Sequence, residues 1–495
     1  MNGKVRSLKL NFIMNALLTM SSFIFPLITF PYVSRMLLPD GTGKVSFATS
    51  VVSYFSLFAQ LGIPYYGIRA CAKVRDNKEE LTRTVHELLL IGVVMCVLSY
   101  IFFFIALFFV PRFGEEKKLF VIVSSSIFFQ TIGIEWLYKA LEQYTYITFR
   151  SIIFKFIALF AMFAFVHEKK DYVIYGGITI FASSASYILN FLNVHRYIGM
   201  KPVGGYHFKK HLKEVAVFFA MSCATTIYTH LDTVMLGFMT TDADVGYYSA
   251  AIKIKTILIS IVTSLGVVLL PRVSYYIEHG LIDDFYRITK RAINFVFLLA
   301  TPLMLYFVLF AKEGIFFLSG SAYEGSILPM QIIMPTLLLV GLTNVMGIQM
   351  LVPMGKEKIV LYSEIVGAVV DLVINFILIP RMASAGAAIG TLGAEAVVWV
   401  VQFMALRKDV TRAYTRVRYV PLLLGVFLGG GASIGLKLLQ LGNFLTLVLS
   451  AIVFFGVYSV VLILAKEPLV FEIIRQIYAK VMRVIKRKNT LKGNS

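Results

Sequence analysis

Charge is scarce in this chain. Of 495 residues only 15% are Asp, Glu, Lys or Arg, while 58% are hydrophobic. Soluble domains carry roughly 25% charged residues, so a water-facing globular surface is excluded. Cysteine is rarer still. Cys71, Cys96 and Cys223 are odd in number and lie in or beside apolar runs, which leaves neither a disulfide framework nor metal-ligand spacing. A nucleotide loop is lacking too. "GTGKVS" (41–46) has Leu38 where a Walker motif needs Gly and Val45 where it needs Ser or Thr. Chemistry driven by bound ATP is therefore not expected.

What is present is long and apolar. "LLLIGVVMCVLSYIFFFIALFFV" (88–110) fills a bilayer core of roughly 30 Å. In lipid such a run is helical, because an unpaired backbone group finds no water there. Barrel strands are shorter and alternate apolar with polar. The first run, about 10–36, exceeds the roughly 7–15-residue core of a signal peptide and is read as a retained span. We read fourteen spans, at about 10–36, 44–67, 85–110, 118–140, 146–166, 173–195, 214–239, 246–271, 291–318, 328–354, 359–380, 385–406, 418–439 and 442–465.

Lysine and arginine in the short connections set orientation. One set of faces holds 34 of the 47, the other 10, and Lys155, Lys253 and Lys255 lie within spans. Both termini are expected in the cytoplasm. The net charge of +20 is then a topology signature, and no nucleic-acid partner is implied.

A turn recurs. "VSRMLLPDGTGKVSFA" (33–48) joins spans one and two, and "LGFMTTDADVGYYSAA" (236–251) joins spans seven and eight. Gly43 falls on Gly246, Ser46 on Ser249 and Ala48 on Ala251, whereas Arg35 and Lys44 become Phe238 and Tyr247. Farther on, "EELTRTVHELLL" (79–90) corresponds to "DDFYRITKRAIN" (283–294), with Arg83 near Arg287. The period is six spans, an even number, so the copies share one orientation about an axis along the membrane normal. We expect lobes at 1–206 (spans one to six) and 207–412 (seven to twelve), two further spans at 413–466 and a basic amphipathic tail at 467–495 that lies on anionic lipid. The fold class expected is all-α and polytopic, with two pseudo-symmetric six-helix bundles around a central cavity plus two C-terminal helices.

Ionisable groups at membrane depth cost a few kcal/mol each unless they face protein or water. Arg35 and Arg69 at span ends, Lys155 in span five, and Lys253 and Lys255 in span eight are candidates to line a cationic substrate cavity. Asp232 in span seven, Glu364 and Asp371 in span eleven and Glu395 in span twelve are candidates for ion coupling, with Asn375 on the same helical face as Asp371. The structural alternative is private pairing, of Asp232 with a lysine of span eight or of Glu135 with Lys139 at i,i+4. Pro26, Pro31, Pro64, Pro302 and Pro335 interrupt spans and bend them. Gly386 and Gly390 are spaced for close helix packing.

"NFIMNALLTMSSFIFPLITFPYVSRMLLPDGTGKVSFATSV", "QLGIPYYGIRACAKVRDNKEEL" and "DADVGYYSAAIKIKTILISIVTSLGVVLLPRVS" resemble the Wzx-type flippases, polysaccharide transporters of the multidrug/oligosaccharidyl-lipid/polysaccharide (MATE-like) superfamily, from about residue 10 to 465. The resemblance implies a multi-pass translocase of the bacterial inner membrane. Its substrate would be an undecaprenyl-diphosphate-linked oligosaccharide, moved outward for capsule, exopolysaccharide or O-antigen assembly. It implies no enzyme activity, no catalytic residue and no metal. Coupling to H+ or Na+ and a polymerase partner are further expectations. A cation-coupled drug exporter of the same superfamily would need a carboxylate-dominated cavity, which Lys155, Lys253 and Lys255 oppose. A polymerase or glycosyltransferase would need a sizeable catalytic loop, and the longest outward one offers only Lys312, Glu313 and Glu324.

Overall fold

The computed structural model describes residues 8–414, 417–472 and 475. Most of the basic tail read at 467–495 thus lies outside the described residues. All regular structure among those described is helical. The long elements are α1 (Leu8–Gln60), α2 (Ile63–Val74), α3 (Lys78–Phe109), α4 (Lys117–Ile132), α5 (Glu135–Ala140), α6 (Tyr144–Phe165), α7 (Tyr172–Ile180), α8 (Lys209–Met239), α9 (Asp242–Glu278), α10 (Ile282–Leu309), α11 (Glu357–Ala405), α12 (Tyr419–Ile434) and α13 (Asn443–Leu464). The all-helical membrane fold expected from the apolar runs is what forms.

The number of spans needs a finer statement. Among the described residues ten helices are long and apolar enough to cross a membrane, or eleven with one bent pair. Two of these hold a pair of expected spans each. Helix α1 runs through Leu38, whose φ of 59° and ψ of 179° are not helical, and α11 runs through Ala383 with φ 46° and ψ −125°. Both breaks fall where the hydropathy pattern predicts a hairpin. Helix α8, the expected seventh span, carries Lys213, Glu214, His230 and Asp232 and is not among the ten. Its apolar run is diluted by the groups that form the site below. The bent pair, Ser321–Ile333 and Thr336–Leu351, turns by 46° at Pro335, which removes a backbone hydrogen bond and crowds the preceding turn.

The described chain groups into two compact units. Of the described residues, the first comprises 8–250, 318–329 and 371–390; the second comprises 251–317, 330–370, 391–414, 417–472 and 475. These are units of packing, whereas the lobes 1–206 and 207–412 were read from repetition. In the first unit, Ile63, Leu81, Val85, Trp136, Leu137, Tyr138 and Ile147 make a buried cluster. In the second, Tyr306, Phe310, Val426, Phe454 and Tyr458 do so. Large apolar side chains also face outward, with Phe108 81% and Phe160 70% exposed. In water that would drive aggregation; for a spanning helix it is the lipid face.

Within the first unit the two copies of the repeated turn touch each other. A Cβ on Gly43 would lie 1.7 Å from the carbonyl oxygen of Asp242, and one on Gly246 would lie 2.1 Å from that of Pro39. Asp242 is the repeat counterpart of Pro39, as Gly246 is of Gly43. The contact is therefore reciprocal, and it explains why both copies keep the glycine. The charges of the first copy have local work. Lys44 pairs with Glu116 at 2.9 Å over the ring of Tyr172, whose hydroxyl donates to Glu116 at 2.6 Å. Arg35 donates to the main-chain oxygens of Pro31 and Leu318.

Candidate functional site

The first unit contains a polar chamber of about 360 Å³, walled by the last turns of α1, the start of α2, α4, α5 and the middle of α8. Its position follows from polar side chains spaced along otherwise apolar helices. Ser53, Ser56 and Gln60 are three and four apart on α1, so they share a face. Ser222, Thr225 and Thr226 do the same on α8. Ser53, Ser222 and Thr225 donate their protons to carbonyls one turn back, on Thr49, Phe218 and Met221. Their oxygens keep lone pairs for a ligand. Gln60 Nε2 donates to Gln130 Oε1 at 2.5 Å. Tyr65, 60% exposed, contributes an aromatic ring to the rim.

One ammonium reaches the chamber, that of Lys139. It pairs with Glu135 at 2.9 Å, the i,i+4 pair that the spacing predicts. Glu135 also binds Arg150 at 2.8 Å. Arg150 is 3% exposed and bonds Ser186 Oγ at 2.7 Å. The cluster sets two cations against one carboxylate and keeps a net positive charge, and the chamber lining holds no carboxylate of its own.

His230 joins the chamber to a second feature. Its ring lies edge-on to Tyr54, with centroids 6.5 Å apart, and its Nδ1 is bonded to Ser50 Oγ at 3.2 Å. Two residues farther along α8, Asp232 is 6% exposed. It accepts hydrogen bonds from Asn375 Nδ2 at 2.6 Å and from the Tyr248 hydroxyl. Asp371 is 2% exposed and one turn from Asn375. A Cβ on Gly390 would lie 2.8 Å from Asp371 Oδ1 and 2.1 Å from Asn375 Oδ1, so only glycine leaves room for this pair. Tyr54 is within electrostatic reach of both carboxylates. Two acids and an amide are thus gathered beside the chamber by helices far apart in sequence.

The other sequence candidates are placed as follows. Lys155 Nζ donates to Ser21 Oγ at 2.8 Å and Ser22 Oγ at 2.9 Å, within the first unit. Arg35 and Arg69 are exposed, and Arg69 pairs with Glu214 at 3.2 Å. Lys253 and Lys255 belong to the second unit, as do Glu364 and Glu395, which are close enough to interact. Sequence reasoning passed over Gln60 and Gln130. The signal was there, as neutral amides inside apolar runs, but the search followed charge.

Long spanning helices with lipid-facing outer surfaces and a polar chamber inside define a membrane-embedded transporter. The fold agrees. The solved structure of the lipid II flippase MurJ in its inward closed conformation superposes with a TM-score of 0.71 at 15% identity, covering 92% of this chain and 99% of that one. A family model described as Polysaccharide biosynthesis protein matches residues 8–277, more than half of the chain, and the chain belongs to that family. A second model, MatE, matches 218–377. Two curated relatives both carry the name "Putative O-antigen transporter". That of Escherichia coli (strain K12) is 25% identical over 411 residues, 83% of this chain and 99% of its own length. That of Shigella dysenteriae is 24% identical over 409 residues, 80% and 99% respectively. The resemblance to Wzx-type flippases holds.

Proposed function

We propose that this protein translocates polyprenyl-diphosphate-linked oligosaccharides from the cytoplasmic to the outer leaflet of a bacterial inner membrane. They are of the undecaprenyl type and feed capsule, exopolysaccharide or O-antigen assembly. The observation that carries the reading is the polar chamber walled by helices whose outer faces are apolar. A sugar head cannot cross hydrocarbon with its hydroxyls unpaired, since each costs several kcal/mol. A hydroxyl- and amide-lined chamber replaces those bonds for the part of the glycan it holds, while the polyprenyl tail stays in lipid. The names of the relatives support the same class of cargo.

The chamber is exposed alternately to the two sides. Lys155 is the best-placed cation for the diphosphate. Its ammonium is held by two hydroxyls rather than a carboxylate, so its charge is available. Arg35, Arg69, Lys253 and Lys255 are secondary candidates. Reset of the cycle is assigned to the Asp232–Asp371–Asn375 cluster, which takes up H+ or Na+. One charge crossing 100 mV yields about 2.3 kcal/mol, and the Tyr54–His230 contact links the cluster to the chamber wall. Glu364 and Glu395 form a second candidate pair. Both termini lie in the cytoplasm, and a polymerase collects the units on the far side.

Deletion of the gene tests the assignment directly. The expected result is loss of surface polymer with lipid-linked units trapped in the inner leaflet, restored by the wild-type gene. Normal surface polymer in the deletion strain, with no other transporter supplying it, overturns the assignment.

A further inference from the structure

We propose that Gln60, Gln130 and Tyr65 form a subsite that reads one uncharged sugar ring of the cargo, and that the diphosphate does not enter this chamber. The proposal rests on the flippase reading and sharpens it.

Charge comes first. The expectation from sequence was a cationic cavity; this chamber offers one ammonium, Lys139, which shares the single Glu135 carboxylate with Arg150. A diphosphate brings about two negative charges and only accepts hydrogen bonds. It would meet a wall of hydroxyl oxygens whose protons are largely committed to main-chain carbonyls. Its partners must come from elsewhere. A uronic acid is disfavoured for the same reason.

Donor and acceptor matching comes next. A sugar hydroxyl donates once and accepts, so it suits a surface that offers both. The Gln60–Gln130 contact consumes one amide proton and one carbonyl. The Gln60 carbonyl and the Gln130 amide protons have no other described partner. They form an acceptor and a donor side by side, the arrangement that two neighbouring ring hydroxyls fit. Tyr65 offers an exposed ring at the rim. The C–H face of a pyranose is apolar and covers such a ring, as apolar surface generally does.

Size sets the limit. A chamber of about 360 Å³ is at the low end of small-ligand sites, which run roughly 300–1,000 Å³. It admits the end of a glycan and not a whole repeat unit. A site built to hydrogen-bond a hydroxyl discriminates well against cargo lacking it, because its own buried polar groups are then left unpaired.

The experiment uses the full-length protein in lipid nanodiscs. Binding is measured for undecaprenyl diphosphate alone, for the same lipid bearing one neutral sugar from a panel of hexoses and N-acetylhexosamines, and for the lipid bearing a uronic acid. Wild-type protein is expected to bind at least one neutral-sugar lipid about tenfold more tightly than the bare lipid, the worth of one or two neutral hydrogen bonds. It is expected to show no such gain for the uronic acid. Gln60→Ala, Gln130→Ala and Tyr65→Ala are each expected to bring the preference close to parity without changing affinity for the bare lipid. Tyr65 is exposed, so its variant separates recognition from folding. A wild-type protein that binds the lipids but prefers no neutral sugar overturns the subsite alone. So do variants that weaken bare and sugared lipid equally. A wild-type protein that binds none of the lipids overturns the flippase reading with it.

Discussion

At the scale of single residues, several of the charged groups buried among the described helices are held by specific partners. Arg150 is the clearest structural case. It is buried, paired with Glu135 and bonded to Ser186. Removing one partner of a buried ion pair costs roughly 3–5 kcal/mol, because the other charge is left uncompensated. Arg150→Ala is expected to lower the melting temperature in detergent by several degrees, whereas Lys155→Ala leaves it nearly unchanged. The functional order reverses. Lys155→Ala is expected to cut transport about tenfold or more, the worth of one charge-assisted hydrogen bond of roughly 1.5–3 kcal/mol. Equal transport by Lys155→Ala and wild type would remove Lys155 from the substrate path. Asp232→Asn and Asp371→Asn keep shape and remove charge. In sealed vesicles with an imposed H+ or Na+ gradient, each is expected to lose the gradient-dependent part of flipping. Wild-type flipping that ignores both gradients would sink the coupling assignment.

Among helices, the segment that follows the sixth expected span is fastened along one face of α3. Gly199 N–H donates to Thr82 Oγ1 at 3.1 Å, Arg83 Nε to Gly204 O at 3.2 Å, and His86 bonds Gly199 O and Tyr206 Oη. Glu87, fully buried, accepts from the His207 amide at 2.6 Å and meets Lys210 at 2.8 Å and His211 at 2.7 Å. His211 is bonded in turn to the Tyr66 hydroxyl at 2.7 Å. Glu87→Ala and His211→Ala are each expected to destabilise the protein. Their effects should be strongly non-additive in a double-mutant cycle, since both break one network. Additive losses would mean that the contacts are incidental. This clamp was not legible in the sequence. Glu87 lies in the repeated segment 79–90, and nothing in its neighbourhood points to Lys210 or His211. Only folding brings residues more than a hundred positions apart into one bond. The helices themselves were legible, because a twenty-residue apolar run has one solution in lipid. So were the hairpins at Leu38 and Ala383, the bend at Pro335 and the Glu135–Lys139 pair, all of which depend on near neighbours.

For the whole molecule, composition decides the class and long-range pairing decides the site. Scarce charge, long runs and the face bias of lysine and arginine lead to a polytopic helical membrane protein before any contact is known. The make-up of the chamber, mostly hydroxyls and amides with one lysine, does not follow from them. Counting cations within spans does not say which of them keep their charge for a ligand: Arg69 is paired with Glu214, whereas Lys155 rests on two serine hydroxyls. The repeated turn is legible as sequence, but its meaning appears only in three dimensions. Gly43→Ala and Gly246→Ala each press a methyl group into main-chain atoms that cannot swing aside. Overpacking of this kind costs roughly 1–3 kcal/mol, and either variant is expected to melt earlier than wild type. Unchanged melting of both would mean that the turns do not support each other.

That mutual contact carries a historical consequence. Where one residue meets another and their counterparts meet in the same way, the geometry is that of two like subunits about a dyad. A half-length forebear that paired with itself through this bend would already have possessed it. Every change there would then have struck both partners at once. Joining two such halves into a single polypeptide would lift that constraint, and Phe238 and Tyr247 stand where the other copy of the turn holds Arg35 and Lys44.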